Sequence, residues 1–412
     1  MILRTPAWAS KFRRDKLSLS RRLTWLAISS SQLSDALTQS AQPDKSKSRN
    51  MDETTERGDS NLSFVTFLQE RAWKSAQLRL DSLLGKGAAG EVFSVSLDIN
   101  RSVGPDHNTE QQIFAMKVVR PSFHIDQATF EQIVGRECQI MKLLTKAKIS
   151  GIPAFYGHLQ SSQAVYIFME KLSGKNLSKL VHEKKKLAPE VILTITAQIA
   201  QIMKGINSNK VLYSDLKPDN IIITVSGEVK LIDFGSAKKC AIDGTNGQPR
   251  SFIEEELSEL EMEGIGTPEY LAPEFYNMEG LCLESDVWSF GVLVYYLVTT
   301  KTPFYDNNPS SIKTRILSGR LPQFSSKFST EPFTQLADLV RACLQTDPTK
   351  RPTWEEILKH PALNGPASKL IEAGESMLLS ISPSAEVGKK SASELIPDQQ
   401  EIERELEYLL GR

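Results

Sequence analysis

Between two apolar runs, Val211-Leu212 and Ile221-Ile222-Ile223, the chain carries Tyr213-Ser214-Asp215-Leu216-Lys217-Pro218-Asp219-Asn220. Short apolar, β-branched runs read as buried strands. Ionisable groups packed this densely between two of them point to an active-site loop rather than a surface turn, because charges are kept against a core where chemistry uses them. Asp215 and Asn220 lie five residues apart, and Asp233-Phe234-Gly235 follows a further short strand, Val229–Ile232. Two carboxylates and an amide suit hard divalent cations and phosphate oxygens, Mg²⁺ above all.

Upstream lies Gly85-Lys86-Gly87-Ala88-Ala89-Gly90-Glu91-Val92, after a strand-like run. Glycines so spaced let a backbone turn approach anionic groups and aim its N–H groups at phosphate oxygens. The spacing alone also serves dinucleotide sites or a plain turn. The continuation through Phe93 and Val95 reads as a second strand rather than a helix, which favours a flap over a nucleotide. Lys117 then stands inside the apolar run Phe114-Ala115-Met116-Lys117-Val118-Val119, where a lysine is either paired or a snorkelling edge residue. The helical stretch Phe130–Leu144 offers Glu131 and Glu137 as partners. Only Glu137 is followed by Ile140, Met141 and Leu144 at core-facing spacing.

The 412 residues predict two or three units, or one large domain with tails. Strand-like runs (Leu78–Leu84, Glu91–Leu97, Ile113–Val119, Ala164–Glu170) give way to helical periodicity at Pro189–Asn207 and Asp286–Thr299, which predicts an α+β class in two lobes. Residues 1–60 differ from the rest: up to Ser34 there are seven Lys/Arg and one acid, Asp15. That composition fits an organelle-targeting peptide, a disordered tail, or sequence ahead of an internal start at Met51. Residues 61–77 lead into the folded region. After Pro361 a loose Ser/Lys/Glu-rich segment, Ser368–Ser393, precedes a terminal helix at about 399–410. Asp398 and Glu401 form its capping box, Ile402, Leu406, Leu409 and Leu410 its apolar stripe, and Gly411 its end. Such a stripe docks on the chain's own domain or binds a partner.

Lys+Arg (49) and Asp+Glu (50) nearly cancel, which argues against a general nucleic-acid binder. Cys138, Cys240, Cys282 and Cys343 form no CxxC pair and read as reduced thiols, and the scattered histidines make no zinc spacing. The apolar stretch Gly291–Val298 falls far short of the ~20 residues that span a bilayer. The expected location is cytoplasmic, with an organelle reached through the basic head as the alternative.

The flap, Lys117, Glu137, the Tyr213–Asn220 loop and Asp233-Phe234-Gly235, in this order, resemble the eukaryotic-type protein kinase family over roughly Leu78–Pro361. The resemblance implies a bilobal fold, with a small β-rich lobe carrying one helix over about 78–170 and a larger helical lobe over about 173–361. ATP would bind between them. Gly85, Lys86, Gly87 and Gly90 would cover its phosphates, and Val92 and Ala115 would add further nucleotide contacts. Lys117, paired with Glu137, would hold the α- and β-phosphates. Met169 would be the gatekeeper beside a hinge at Glu170–Leu172. Asp215 would orient the proton of the substrate hydroxyl, Lys217 would reach the transferred phosphate as in the serine/threonine class, and Asn220 and Asp233 would hold Mg²⁺. In Gly266–Glu274, Thr267 would contact Asp215 and Lys217. Asp286 would anchor the loop, Arg351 would pair with Glu274, and Met141, Phe155, Tyr213 and Phe234 would stack as a spine. The implied partner is a protein bearing a Ser or Thr hydroxyl.

Several positions depart from the family pattern. Ser214 replaces the arginine that often grips an activation-segment phosphate, so activity is expected not to depend on phosphorylation there. The segment Asp233–Glu274 is long and holds an acidic insert, Ile253–Glu263, read as a solvated helix or as an element that recruits basic substrate. The AGC kinase group is suggested by Phe114–Val119, Tyr213 and Gly266–Glu274, yet no Phe follows Phe333. Asp219 sits where basic-directed kinases carry an acid, and Tyr296 where a second is expected. A scaffold that uses the kinase fold without catalysis is the competing reading. With Lys117, Asp215 and Asp233 all present, catalysis is favoured.

Overall fold

Side chains switch faces at every residue of a strand, and this alternation decides what each residue of the first sheet meets. The computed structural model describes residues 77–87, 90–100, 109–121, 125–161, 163–240, 267–277, 280–321, 324, 330–364, 366–381 and 399–409. Strands β1 (Gln77–Gly87), β2 (Gly90–Asn100), β3 (Thr109–Val119), β4 (Phe155–Gln160) and β5 (Val165–Glu170) form an antiparallel sheet in the order β1-β2-β3-β5-β4. Phe93, Val95, Leu97, Phe114, Met116, Val118, Tyr166 and Phe168 bury together on its outer face. Lys117, between Met116 and Val118, therefore belongs to the inner face, in register with Val92 of β2 and Ile167 of β5.

Helix α1 (Gln127–Lys146) begins at Asp126, whose carboxylate accepts from the Thr129 amide at 2.9 Å. Among its buried residues, Phe130, Val134, Glu137, Met141 and Leu144 recur every three or four positions, with Cys138 and Ile140 beside them. That puts Glu137 on the stripe facing the core, whereas Glu131 is exposed and accepts from Gln127.

Past β6 (Gly174–Asn176) come α2 (Leu177–Lys184), α3 (Pro189–Ser208), β7 (Val211–Leu212), β8 (Ile221–Thr224), β9 (Val229–Leu231) and β10 (Lys238–Lys239). They are followed by α4 (Pro273–Tyr276), α5 (Leu283–Thr299), α6 (Pro309–Ser318), α7 (Phe333–Cys343) and α8 (Trp354–Lys359). Helices α3 and α5 are apolar on most sides and so lie inside this lobe rather than on its surface. Strands β7 and β8 are the apolar runs that flank the polar loop, and β9, paired with β8, leads into the segment that carries Asp233. A bilobal α+β fold results.

The tail differs from its expected looseness. Ser368–Ser393 contains most of a helix, α9 (Pro366–Ile381), laid along α3. Close approach is the reason. Thr194 donates to the Ile371 carbonyl at 2.8 Å, and a Cβ on Gly374 would lie 2.3 Å from the Glu190 carbonyl oxygen, so only glycine fits. A last helix, α10 (Gln399–Leu409), places Ile402 and Leu406 in the outer core of the first sheet. Glu403 accepts from the Leu80 amide at 3.3 Å, and the Tyr166 hydroxyl donates to Glu405. The stripe docks on the chain's own small lobe. The basic head, Ala88-Ala89, the acidic insert Ile253–Glu263, and Asp398, Leu410 and Gly411 lie outside the described residues. Among the described residues no helix is long and apolar enough to cross a membrane.

Candidate active site

Lys117 is 5% exposed and makes two ion pairs, to Glu137 Oε1 at 2.7 Å and to Asp233 Oδ1 at 2.9 Å. Burial works against the ammonium charge, but the two carboxylates outweigh it and its pKa moves upward. Asp233 moves the other way: burial raises its carboxyl, and the Lys117 charge more than reverses this. Glu137 is pushed up by complete burial against the same ammonium. With Lys117 held protonated at 2.7 Å, the ion pair is the state the geometry supports. The triad joins β3, α1 and the segment after β9, so it ties the two lobes together.

Local backbone explains the position of Asp233. Its φ of 63° is left-handed, a conformation Asp tolerates better than most residues. The Gly235 amide then donates to Asp233 Oδ1 at 3.2 Å, and a Cβ at Gly235 would fall 3.3 Å from that oxygen. In the flap, Gly85, Lys86 and Gly87 pair with Val92, Glu91 and Gly90. Gly90 has φ 125°, and a Cβ there would sit 2.3 Å from the Val118 carbonyl oxygen. Lys86 reaches Glu91 at 2.9 Å.

The polar loop is built around Asp215. Its Oδ2 meets Lys217 Nζ at 2.8 Å and accepts from Asn220 Nδ2 at 2.7 Å. Asn220 also donates to the Asp215 carbonyl at 2.9 Å. The main-chain carbonyl of Asn220 accepts from the Ile232 amide at 2.9 Å, which ties the loop to the strand leading into Asp233. Beneath the loop, Asp286 is fully buried and accepts from the amides of Tyr213 and Ser214, each at 2.9 Å. Tyr213 packs edge-on against Phe234 with ring centroids 5.2 Å apart, and Met141 and Phe155 belong to the same cluster. Arg351 grips Glu274 through both nitrogens at 2.7 and 2.8 Å, and Ser285 donates to the same carboxylate at 2.6 Å.

The remaining expected residues divide. Ala115 pairs with Met169, and Glu170 ends β5 with its amide donating to the Ala154 carbonyl at 2.8 Å, so Leu172 begins the crossing between lobes. Thr267 caps a short turn, its carbonyl accepting from the Tyr270 amide at 2.9 Å. Its hydroxyl makes no hydrogen bond to Asp215 or Lys217 among the described residues. Ser214, at φ 67°, has a buried hydroxyl with no partner and lines a small cavity with Leu271, Leu281 and Asp286. Asn207 and Trp354 meet behind the loop without a motif to mark either; an asparagine near the end of an apolar helix gives no signal of its own.

Among the described residues, no group of three His, Cys, Asp or Glu could hold a metal unaided. Comparison with known proteins agrees with this geometry. The model of the protein kinase domain matches residues 78–363. A probable serine/threonine-protein kinase of Dictyostelium discoideum is 28% identical over 70% of this chain and 51% of its own length. Mitogen-activated protein kinase kinase kinase 19 of Mus musculus is 30% identical over 68% of this chain and 20% of its own. The kinase YODA of Arabidopsis thaliana, also a mitogen-activated protein kinase kinase kinase by name, is 30% identical over 74% and 31%. The chain thus spans from about a fifth to about half the length of these relatives. On the family match and the motifs together, the chain belongs to the protein kinase domain family.

Proposed function

We propose that this chain is a serine/threonine protein kinase that transfers the γ-phosphoryl group of ATP to a protein hydroxyl, using residues 78–361 as its catalytic unit. The observation that carries the reading is the assembled triad Lys117–Glu137–Asp233 beside Asp215, Lys217 and Asn220. Lys117 is held charged where it can meet the α- and β-phosphates. Asp215 orients the attacking hydroxyl and accepts its proton as the oxygen bonds to the γ-phosphorus and the bond to the ADP oxygen breaks. Lys217 offsets charge on the group in transit. Because the transition state is loose, positioning and charge neutralisation suffice.

Asp233 and Asn220 offer hard oxygens that fit Mg²⁺. Asn220 commits its amide N–H to Asp215, which leaves its side-chain oxygen for a cation. When bound, the ion supplies neutralisation of the phosphate charge. The protein partner is a substrate bearing Ser or Thr, and the names of the relatives support a place among kinases that act on other kinases. The proposed location is cytoplasmic, with the basic head as a route to an organelle.

Incubation of the full chain with γ-labelled ATP, Mg²⁺ and a generic protein substrate tests the reading, with Asp215→Ala and Lys117→Met alongside. Label on protein from the wild type and none from either variant is the expected result. ATP binding without transfer by the wild type would leave only the scaffold.

A further inference from the structure

Asn207 closes helix α3 and has no part in the chemistry described so far. The residue is 6% exposed and its side-chain amide is fully engaged. Nδ2 donates to Asp286 Oδ2 at 2.9 Å and to the Val211 carbonyl at 2.8 Å, and Oδ1 accepts from the Trp354 indole N–H at 2.5 Å. The chemistry of the partners fixes the amide orientation. Asp286 and Val211 present only acceptors and the indole only a donor, so a flipped amide would set oxygen against oxygen and N–H against N–H.

Asp286 in turn holds the amides of Tyr213 and Ser214, the two residues ahead of Asp215. A chain of contacts therefore runs from α8 through α3 and α5 to the catalytic carboxylate. We infer that Asn207, oriented by Trp354, is a positioning residue for phosphoryl transfer: its amide secures the carboxylate that grips the two residues ahead of Asp215. This rests on the kinase reading.

Burial raises the Asp286 carboxyl to about 6, opposed by the Tyr213 amide, the Asn207 amide and the Ser214 amide, while Glu284 on the same helix adds to the rise. Other charged or titratable groups nearby are the Glu274–Arg351 pair, reached through Ser285, and the Tyr213 phenol; Asn207 and Trp354 are neutral. Below this value the carboxyl is protonated and its grip on the loop weakens. Without the Asn207 donor the ionised form loses support, and the transition moves to higher pH.

The test is the pH dependence of kcat for the full chain with γ-labelled ATP and Mg²⁺, in wild type, Asn207→Leu, Asn207→Asp and Trp354→Phe. The acid limb is expected to shift upward by about one pH unit in Asn207→Leu. The shift is larger in Asn207→Asp, where two carboxyls face each other and at most one ionises. It is smaller in Trp354→Phe, where the amide stays but loses its orienting donor. KM for ATP is expected to hold in all three. A uniform loss of kcat at every pH, with the midpoint unmoved, would overturn the inference and leave Asn207 as packing only. If Asn207→Leu fails to fold, Trp354→Phe decides by the same criterion. If the wild type transfers no phosphate, the kinase reading fails, and the pH dependence of unfolding decides this inference separately: the Asp286-linked step moves upward in Trp354→Phe or it does not.

Discussion

Replacing Leu406 by alanine probes how tightly the terminal helix holds the small lobe. Leu406 is fully buried in the outer core of the first sheet, alongside Ile402 at 2% exposure. Truncating a buried leucine removes its transfer free energy and leaves a cavity, together about 2–5 kcal/mol. The loss is capped by the docking free energy of α10, because a helix that leaves the sheet has no more to lose. At about 2.1 cal/mol/K of unfolding entropy per residue, a unit of roughly 300 residues shifts by about 1.6 °C per kcal/mol, so Tm should fall by about 3–8 °C. Thermal unfolding of the full chain measures this. Amide exchange gives a local readout at Leu80, whose N–H donates to Glu403 of the same helix. An alanine variant within about 1 °C of wild type, with Leu80 exchange unchanged, would show that the terminal helix is not docked there, since a buried leucine at a real interface cannot be removed at so little cost.

Other outcomes follow from the buried charges. Arg351→Met leaves Glu274 in a site where the arginine is fully buried, and should destabilise by about 3–5 kcal/mol in urea denaturation; a loss under about 1 kcal/mol would show that the pair is incidental. Asp286 gives a stability signature of definite sign. Its folded-state value of about 6 lies above the unfolded value near 3.9, so its contribution is complete below about pH 4 and is lost as pH rises through about 6, by roughly 3 kcal/mol. Asp286→Asn cannot titrate, so its stability relative to wild type should rise by about that much between pH 4 and 7. A difference that stays flat with pH would contradict this.

Much of the site was legible because it depends on period and local chemistry. The apolar run around Lys117 marked that lysine as paired or snorkelling, and helical spacing separated Glu137 from the exposed Glu131. Apolar flanks marked the loop that carries Asp215. Other features depend on partners distant in sequence and were hidden for that reason. Asn207 meets Trp354 across 147 positions, and neither residue announces the other. Helix α9 was masked by its Ser, Lys and Glu content, since its packing turns on a glycine facing Glu190 and a few apolar contacts rather than on a broad stripe. The terminal stripe was readable, but the face that receives it exists only once five strands have paired.

Asp215 is placed to act in the transfer step rather than in ATP binding. Asp215→Asn keeps the shape of the side chain and removes the base. Single-turnover transfer from γ-labelled ATP, measured beside ATP affinity, separates the two roles. Transfer is expected to fall by about 10²–10⁴-fold while ATP affinity stays within about twofold. An Asp215→Asn chain that transfers phosphate at the wild-type rate would contradict it.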